Sequence, residues 1–465
     1  MLFNSYPFAI FFVAVWLVTW ALRNTHHPRV LWLLGASYFF YGWWDWRFLF
    51  LIALSTVVDF VIGRSLGRTE DGAARKRLLL VSLVANLGTL AFFKYWGFFT
   101  TEFARLLESV GLAANLPTLK VLLPVGISFY TFQTLSYTID VYRRRLEPEP
   151  DLARFALFVA FFPQLVAGPI VRARDLLPQI RRKPSLSPRQ FDSGLALIFW
   201  GLTKKIVIAD TLGREVVDAV WANPDAFGGW LSLLGIWGYA LQIYGDFSGY
   251  SDCAIGVARL LGFELCENFN SPYRATSPRD FWRRWHISLS TWLRDYLYIS
   301  LGGNRGGEWK TYRNLILTML LGGLWHGASW MFVLWGAYHG TLLAIDRWLN
   351  LPDPKHLITT WLARVLTFHL ACLGWVFFRS ESPQEAWAVL GSLAKPAADI
   401  DIPTGILLAF ALGFGTHLLP ASAKQWVRAR FLALPPFVLG ICFALALGAL
   451  LNAFSSEAPF IYFQF

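Results

Sequence analysis

Apolar residues run through this chain in long blocks, with charge concentrated at the joints between them. A helix needs roughly 20 apolar residues to cross a hydrocarbon core of about 30 Å. Blocks approaching that length fall at about 7–22, 30–44, 48–63, 78–98 and 119–141. Others follow at about 191–211, 229–258, 358–378, 402–419 and 434–454, with a longer run from Leu315 to Ile345. The pattern predicts an all-α polytopic membrane protein with about 10–11 spanning helices. No soluble domain and no internal repeat stands out. The whole of 1–465 reads as one integral membrane domain, with N-terminal helices (1–118), a central core (119–345) and C-terminal helices (346–465).

Three segments break the simple pattern. Phe155 to Val171 is apolar but short, is interrupted by Pro163, Gly168 and Pro169, and has basic residues on both sides. A segment that starts and ends on one charged face should dip in and return, with its irregular backbone sheltered by protein. The stretch from Arg259 to Arg313 is polar and basic. Within it Ser277-Pro278-Arg279-Asp280 has the form of a helix start, a serine cap followed by proline and an acid. The helix it opens is expected to run to about Ile299 and to lie at the interface. The run from Leu315 to Ile345 is too long for one untilted span, and Gly322-Gly323 offers a break.

Composition removes the competing classes. Hydrophobic residues make up 55% of the chain and charged residues 15%, and the mean hydropathy is +0.45. A net charge of +11 would invite a nucleic-acid partner, but the basic residues sit in the loops between apolar blocks. Positive juxtamembrane loops explain them, so lipids and not nucleic acid are the expected surroundings. The loops Arg23–Arg29, Arg64–Arg77 and Arg143–Arg145 agree on one topology, with the N-terminus outside. No small-residue cleavage site follows the first block, which reads as a span. The 23 tryptophans suit interfacial belts and also aromatic walls around a buried site. Four cysteines show no metal-binding spacing.

The candidate chemistry centres on His326, in Gly322-Gly323-Leu324-Trp325-His326-Gly327, inside an uncharged run. An imidazole at membrane depth is costly unless paired or facing a wet cavity, and its neutral form suits a general base acting on a hydroxyl. Counting from Arg313 puts it past the midplane. The alternative is a histidine that only ties two helices together. A second histidine, His286, closes Trp282-Arg283-Arg284-Trp285-His286. Asp246 and Asp252 lie in an otherwise apolar block and need partners, for which Arg283 and Arg284 are candidates. His326 and His339 stand on different helix faces and no HxxxH occurs, which argues against a metal site. A GxSxG elbow is absent, and Gly302-Gly303-Asn304-Arg305-Gly306-Gly307 alone is weak support for phosphate binding. Arg274, Arg305 and Lys310 could attract phosphates or simply mark the inner face.

Taken together, several motifs in order resemble the membrane-bound O-acyltransferase (MBOAT) family, most closely its bacterial alginate O-acetylation branch. They are Phe162-Pro163-Gln164 through Gly168-Pro169-Ile170, Gly245-Asp246-Phe247-Ser248-Gly249-Tyr250-Ser251-Asp252, Asn270-Ser271-Pro272-Tyr273, Asp280-Phe281-Trp282-Arg283-Arg284-Trp285-His286, Leu301-Gly302-Gly303-Asn304-Arg305 and Leu324-Trp325-His326-Gly327. The aromatic tail Pro459–Phe465 also fits. The resemblance implies a helical bundle around a central tunnel, with His326 catalytic and His286 matching the second histidine. Gln164, Asp246, Asp252, Trp282, Arg283, Arg284, Trp285, Asn304 and Trp325 would line or support the tunnel. It implies an acetyl-CoA donor, no permanent cofactor, and a polysaccharide acceptor or a periplasmic acetyltransferase partner at the bacterial inner membrane. D-Alanyl transfer to teichoic acid from a carrier-protein thioester is the alternative within the family. A proton-coupled transporter using Asp246, Asp252 and His326 is the alternative outside it.

Overall fold

A computed structural model describes residues 1–112 and 122–453 of the chain. Every regular element among them is helical. The tail motif Pro459–Phe465 and the start of the 119–141 block lie outside the described residues. The chain divides into two compact units, residues 1–185 with 261–265 and 327–329, and the remainder.

The first unit holds α1 (Tyr6–Ala21), α2 (His26–Gly42), α3 (Leu49–Arg68), α4 (Gly72–Ser109), α5 (Ile127–Tyr142), α6 (Leu152–Ala160), α7 (Phe162–Leu165) and α8 (Ala173–Arg181). The apolar blocks located these helices, although the 38 residues of α4, about 57 Å at helical rise, far exceed the expected span 78–98. Asp59 is fully buried where α3, α4 and α5 meet. Its carboxylate accepts from the Ser82 hydroxyl, the Asn86 amide (2.8 Å) and the Thr138 hydroxyl (3.0 Å), which ties three helices through one acid.

The expected re-entrant segment is broken in the way its prolines suggest, with α6 ending at Ala160 and the short α7 starting one residue later. The polar groups released at the break are recaptured. The Phe162 amide donates to the Ser37 hydroxyl at 3.2 Å, and the Gln164 side-chain amide donates to the Phe158 carbonyl at 2.8 Å. Such recapture is what irregular backbone requires when it is shielded from water.

The second unit contains α9 (Pro188–Thr203), a π-helical continuation (Lys204–Asp210), α10 (Asp218–Ala222), α11 (Gly229–Leu260), α12 (Pro278–Arg284), α13 (Ile287–Trp292), α14 (Glu308–His326), α15 (Trp330–Leu349), α16 (Leu357–Arg379), α17 (Pro383–Ser392), α18 (Thr404–Leu418), α19 (Ala421–Leu432) and α20 (Pro436–Ala453). Two expectations are corrected. The helix opened by Ser277, whose hydroxyl accepts the Asp280 amide at 3.2 Å, does not continue to Ile299. It stops at Trp285, because Asn268 captures the next donors: its carbonyl takes the Ile287 amide (2.9 Å) and its side-chain oxygen takes the Ser288 amide (3.2 Å). The long apolar run breaks at residues 327–329, not at Gly322-Gly323. Those glycines serve packing instead. A methyl built at Gly323 would lie 2.2 Å from the Phe332 carbonyl oxygen, and one at Gly336 would lie 2.4 Å from that of Met319.

Among the described residues, three helical stretches, Trp46–Arg68, Gly72–Ser109 and Leu357–Arg379, are long and apolar enough by themselves to cross a membrane.

α9 and α11 also pack through glycine. A methyl at Gly201 would sit 2.4 Å from the Gly249 carbonyl, and one at Gly249 would sit 2.6 Å from that of Gly201. Small residues at such crossings let backbones touch. Gly249→Leu should therefore force the helices apart and destabilise the protein by about 1–3 kcal/mol or more, the usual range for overpacking. A lowered thermal midpoint in detergent would register it, with Gly88→Leu, where nothing lies within 4 Å, as the neutral comparison.

Candidate functional site

His326 is the last residue of α14, and its side chain is almost wholly enclosed by aromatic rings. Ring centroids of Trp325, Trp335 and Phe378 lie 5.1, 5.0 and 5.3 Å from the imidazole, all near edge-to-face. α15 contributes Trp335 and α16 contributes Phe378, so three helices converge on this histidine. His286 is fully buried and has left-handed backbone, with φ of +43°. Its ring meets Phe247 at 4.6 Å and Trp325 at 6.0 Å. The indole of Trp325 thus lies against both histidines.

Trp335 also packs against Trp282, with ring centroids 5.7 Å apart. Trp282 lines a cavity of about 860 Å³ whose wall includes Met319, Thr318, Tyr298 and Asn304. Four arginines, Arg279, Arg283, Arg294 and Arg347, also line it. Arg279 is paired with Asp346 (3.4 Å) and Arg294 with Asp295 (2.7 Å), whereas Arg283 and Arg347 form no ion pair among the described residues. A cavity lined by arginines and aromatic rings can hold a ligand that carries both anionic and apolar parts. Neither His326 nor His286 lines it, and Trp335 touches both Trp282 of its wall and His326.

The aspartates are paired, but not as the sequence suggested. Lys205 bonds Asp246 at 2.6 Å and Asp210 at 2.8 Å, while Lys204 bonds Asp252 at 2.8 Å and the Ser248 hydroxyl at 2.9 Å. Arg283 and Arg284 are not their partners: Arg283 lines the cavity and Arg284 pairs with Asp280 (2.9 Å) one turn earlier in α12. A bulge from α to π geometry at Lys204 sets both ammonium groups over α11. Arg274, Arg305 and Lys310 do not line the cavity, and Arg274 donates to the Leu419 carbonyl at 2.8 Å. Trp285 is buried against Phe269, Phe281 and Trp375, a packing position. Gln164 belongs to the first unit, at the α6–α7 break. No group of three or more metal-binding side chains occurs among the described residues.

Sequence reading missed Lys204 and Lys205, Asn268, Trp335 and Phe378. The lysines carried a signal, since two charges inside an apolar block call for acids nearby. Asn268, Trp335 and Phe378 carried none, because only tertiary packing brings them to the histidines.

Residues 77–382, which hold both histidines and the cavity lining, match the membrane-bound O-acyltransferase family, MBOAT. This chain belongs to that family. It is therefore an acyltransferase, and its polytopic helical fold is the family's. Among its relatives, "Probable alginate O-acetylase AlgI" of Pseudomonas aeruginosa is 46% identical over 393 residues, 83% of this chain and 74% of the relative. The "Peptidoglycan O-acetyltransferase" of Helicobacter pylori is 34% identical across 100% of this chain and 98% of its own length. The "Teichoic acid D-alanyltransferase" of Bacillus subtilis is 31% identical over 55% of this chain and 68% of its own.

The ion pairs make a separable prediction for this MBOAT protein. Asp252→Asn strands Lys204, which is only 4% exposed, and should cost about 3–5 kcal/mol. Lys204→Met together with Asp252→Leu removes both charges and should recover most of that loss, as read by thermal denaturation in detergent.

Proposed function

We propose that this MBOAT protein moves acetyl groups from cytoplasmic acetyl-CoA to hydroxyls of an exported polysaccharide at the bacterial inner membrane, with a periplasmic acetyltransferase partner completing delivery. The observation that carries the reading is the arginine-lined cavity, whose wall residue Trp282 packs against the same Trp335 that touches His326. Acetyl-CoA carries three phosphates at one end and a slender pantetheine thioester at the other. Arginine forks suit phosphate oxygens. The pantetheine arm would pass Trp282 and Trp335 to bring the thioester to the imidazole. There His326 assists attack on the thioester carbonyl, as a base for the acceptor hydroxyl or as a transient acyl carrier.

The relatives support acetyl as the cargo. The two O-acetylating relatives match over most or all of the chain, whereas the D-alanylating one matches over about half. A glycan acceptor is common to the names of the two closer ones, and the 46% identity favours an alginate-like exopolysaccharide.

Inverted membrane vesicles given labelled acetyl-CoA should pass label to polysaccharide, and His326→Ala should abolish transfer while the protein still inserts and folds. Transfer at the normal rate by that variant would refute the reading. Arg283→Ala and Arg347→Ala should each raise the KM for acetyl-CoA about tenfold, since a hydrogen bond to a charged group contributes about 1.5–3 kcal/mol and 1.4 kcal/mol is a factor of ten. Acetyl-pantetheine, which has no phosphates, should be used equally well by these variants and the wild type.

A further inference from the structure

The hydrogen bonds around His286 define which of its nitrogens bears the proton. The Asn268 side-chain oxygen lies 3.1 Å from His286 Nδ1. That this atom is the oxygen and not the amide nitrogen follows from its other partner, the Ser288 backbone N–H at 3.2 Å, which can only donate. The Ser288 hydroxyl also donates to it, at 2.8 Å. The Asn268 amide nitrogen is turned the other way, donating to the Ser251 hydroxyl at 3.2 Å. Nδ1 therefore carries the hydrogen, and the lone pair of the neutral ring is on Nε2.

Nε2 is buried and has no hydrogen-bond partner among the described residues. The backbone is strained as well, since a left-handed conformation is uncommon for a residue with a β-carbon and persists only where its surroundings impose it. Here Asn268 imposes it, by holding the ring through Nδ1 and the following chain through Ile287 and Ser288. The outcome is a fixed imidazole with one vacant acceptor beside the indole that also touches His326.

We infer that Asn268 is a positioning residue that locks His286 as the Nδ1–H tautomer, so that Nε2 accepts the hydrogen bond of the incoming acceptor hydroxyl and orients its oxygen for attack. The inference rests on the acyl-transfer reading above and adds the acceptor side to it. The hydroxyl gives its one hydrogen to His286 Nε2, so of its two roles His326 takes that of acyl carrier. The acetyl group passes to the neutral His326 imidazole as coenzyme A leaves as the thiolate. It then passes to the acceptor oxygen, whose proton goes to His286 Nε2 as the neutral His326 ring is released. Asn268 touches neither substrate and acts wholly through the imidazole.

The test uses full-length protein in inverted membrane vesicles, with labelled acetyl-CoA as the donor and label in endogenous polysaccharide as the readout. Asn268→Leu, which cannot accept from Nδ1, should lower kcat about 10–100-fold, the usual effect of losing a histidine's orienting partner, with the KM for acetyl-CoA unchanged. Asn268→Asp keeps an acceptor oxygen in place and should restore turnover to within a fewfold of wild type. Ser251→Ala cuts only the far bond of the amide and should leave kcat nearly unchanged. Full turnover by Asn268→Leu, Asn268→Asp no faster than Asn268→Leu, or a loss expressed in donor KM would each overturn the inference. Should Asn268→Leu fail to fold, folded Asn268→Asp decides alone, with turnover upholding the inference and inactivity overturning it. Wild-type vesicles that transfer no acetyl at all would instead defeat the acyl-transfer reading.

Discussion

Two lysines and three aspartates share the buried contact between the α9 continuation and α11, and the second unit is organised around their pairing. On even the lenient insertion scale, a lone charge at bilayer depth costs about 2.5–3.5 kcal/mol. None of these five groups is tolerable alone, so the helices are constrained to meet where the ammonium and carboxylate groups coincide. Glycine makes the meeting possible: Gly201 and Gly249 bring the backbones close enough for short side-chain bonds. The π-helical turn rotates Lys204 and Lys205 onto α11. The position of α11 then sets the histidine neighbourhood, because Phe247 abuts His286 and Ser251 receives the Asn268 amide.

The tryptophans divide into two populations by physical role. Trp43, Trp46, Trp309 and Trp348 are more than half exposed, as suits side chains with one apolar end and one polar end at an interface. Trp285, Trp335 and Trp375 are almost wholly buried in one aromatic cluster. That cluster reaches His326 through Trp335. Trp282 belongs to the wall of the arginine-lined cavity and packs against Trp335, which packs in turn against His326.

Periodicity and block length were enough to find the helices, because a span must be apolar along its whole length. The break between α6 and α7 was legible too, since Pro163 can open a helix but cannot continue one, and Pro169 cannot extend it. Sequence reading failed where a long-range contact overrides local preference. The stretch after Arg284 is compatible with helix, and only the competing oxygens of Asn268, eighteen positions before His286, end it. The glycine pair at 322–323 reads as a hinge on propensity and proves to be a contact surface, a distinction that needs the neighbouring helix. For the site, single residues announced themselves by being out of place in apolar sequence, as His326, Asp246 and Asp252 did. Their partners did not, because a lysine, a tryptophan or a phenylalanine several helices away has no local mark of its destination.

α14 and α15 touch backbone to backbone, with Gly323 under Phe332, Gly336 under Met319 and Gly340 under Ile316. Helices joined that closely cannot slide or part without opening voids, so the hairpin behaves as one stiff strut. His326 and Trp335 ride on it together, and their spacing is insulated from changes in bilayer thickness or tension. Any widening beside His326 must then come from rotation of the indole side chains and not from rearrangement of the helical frame.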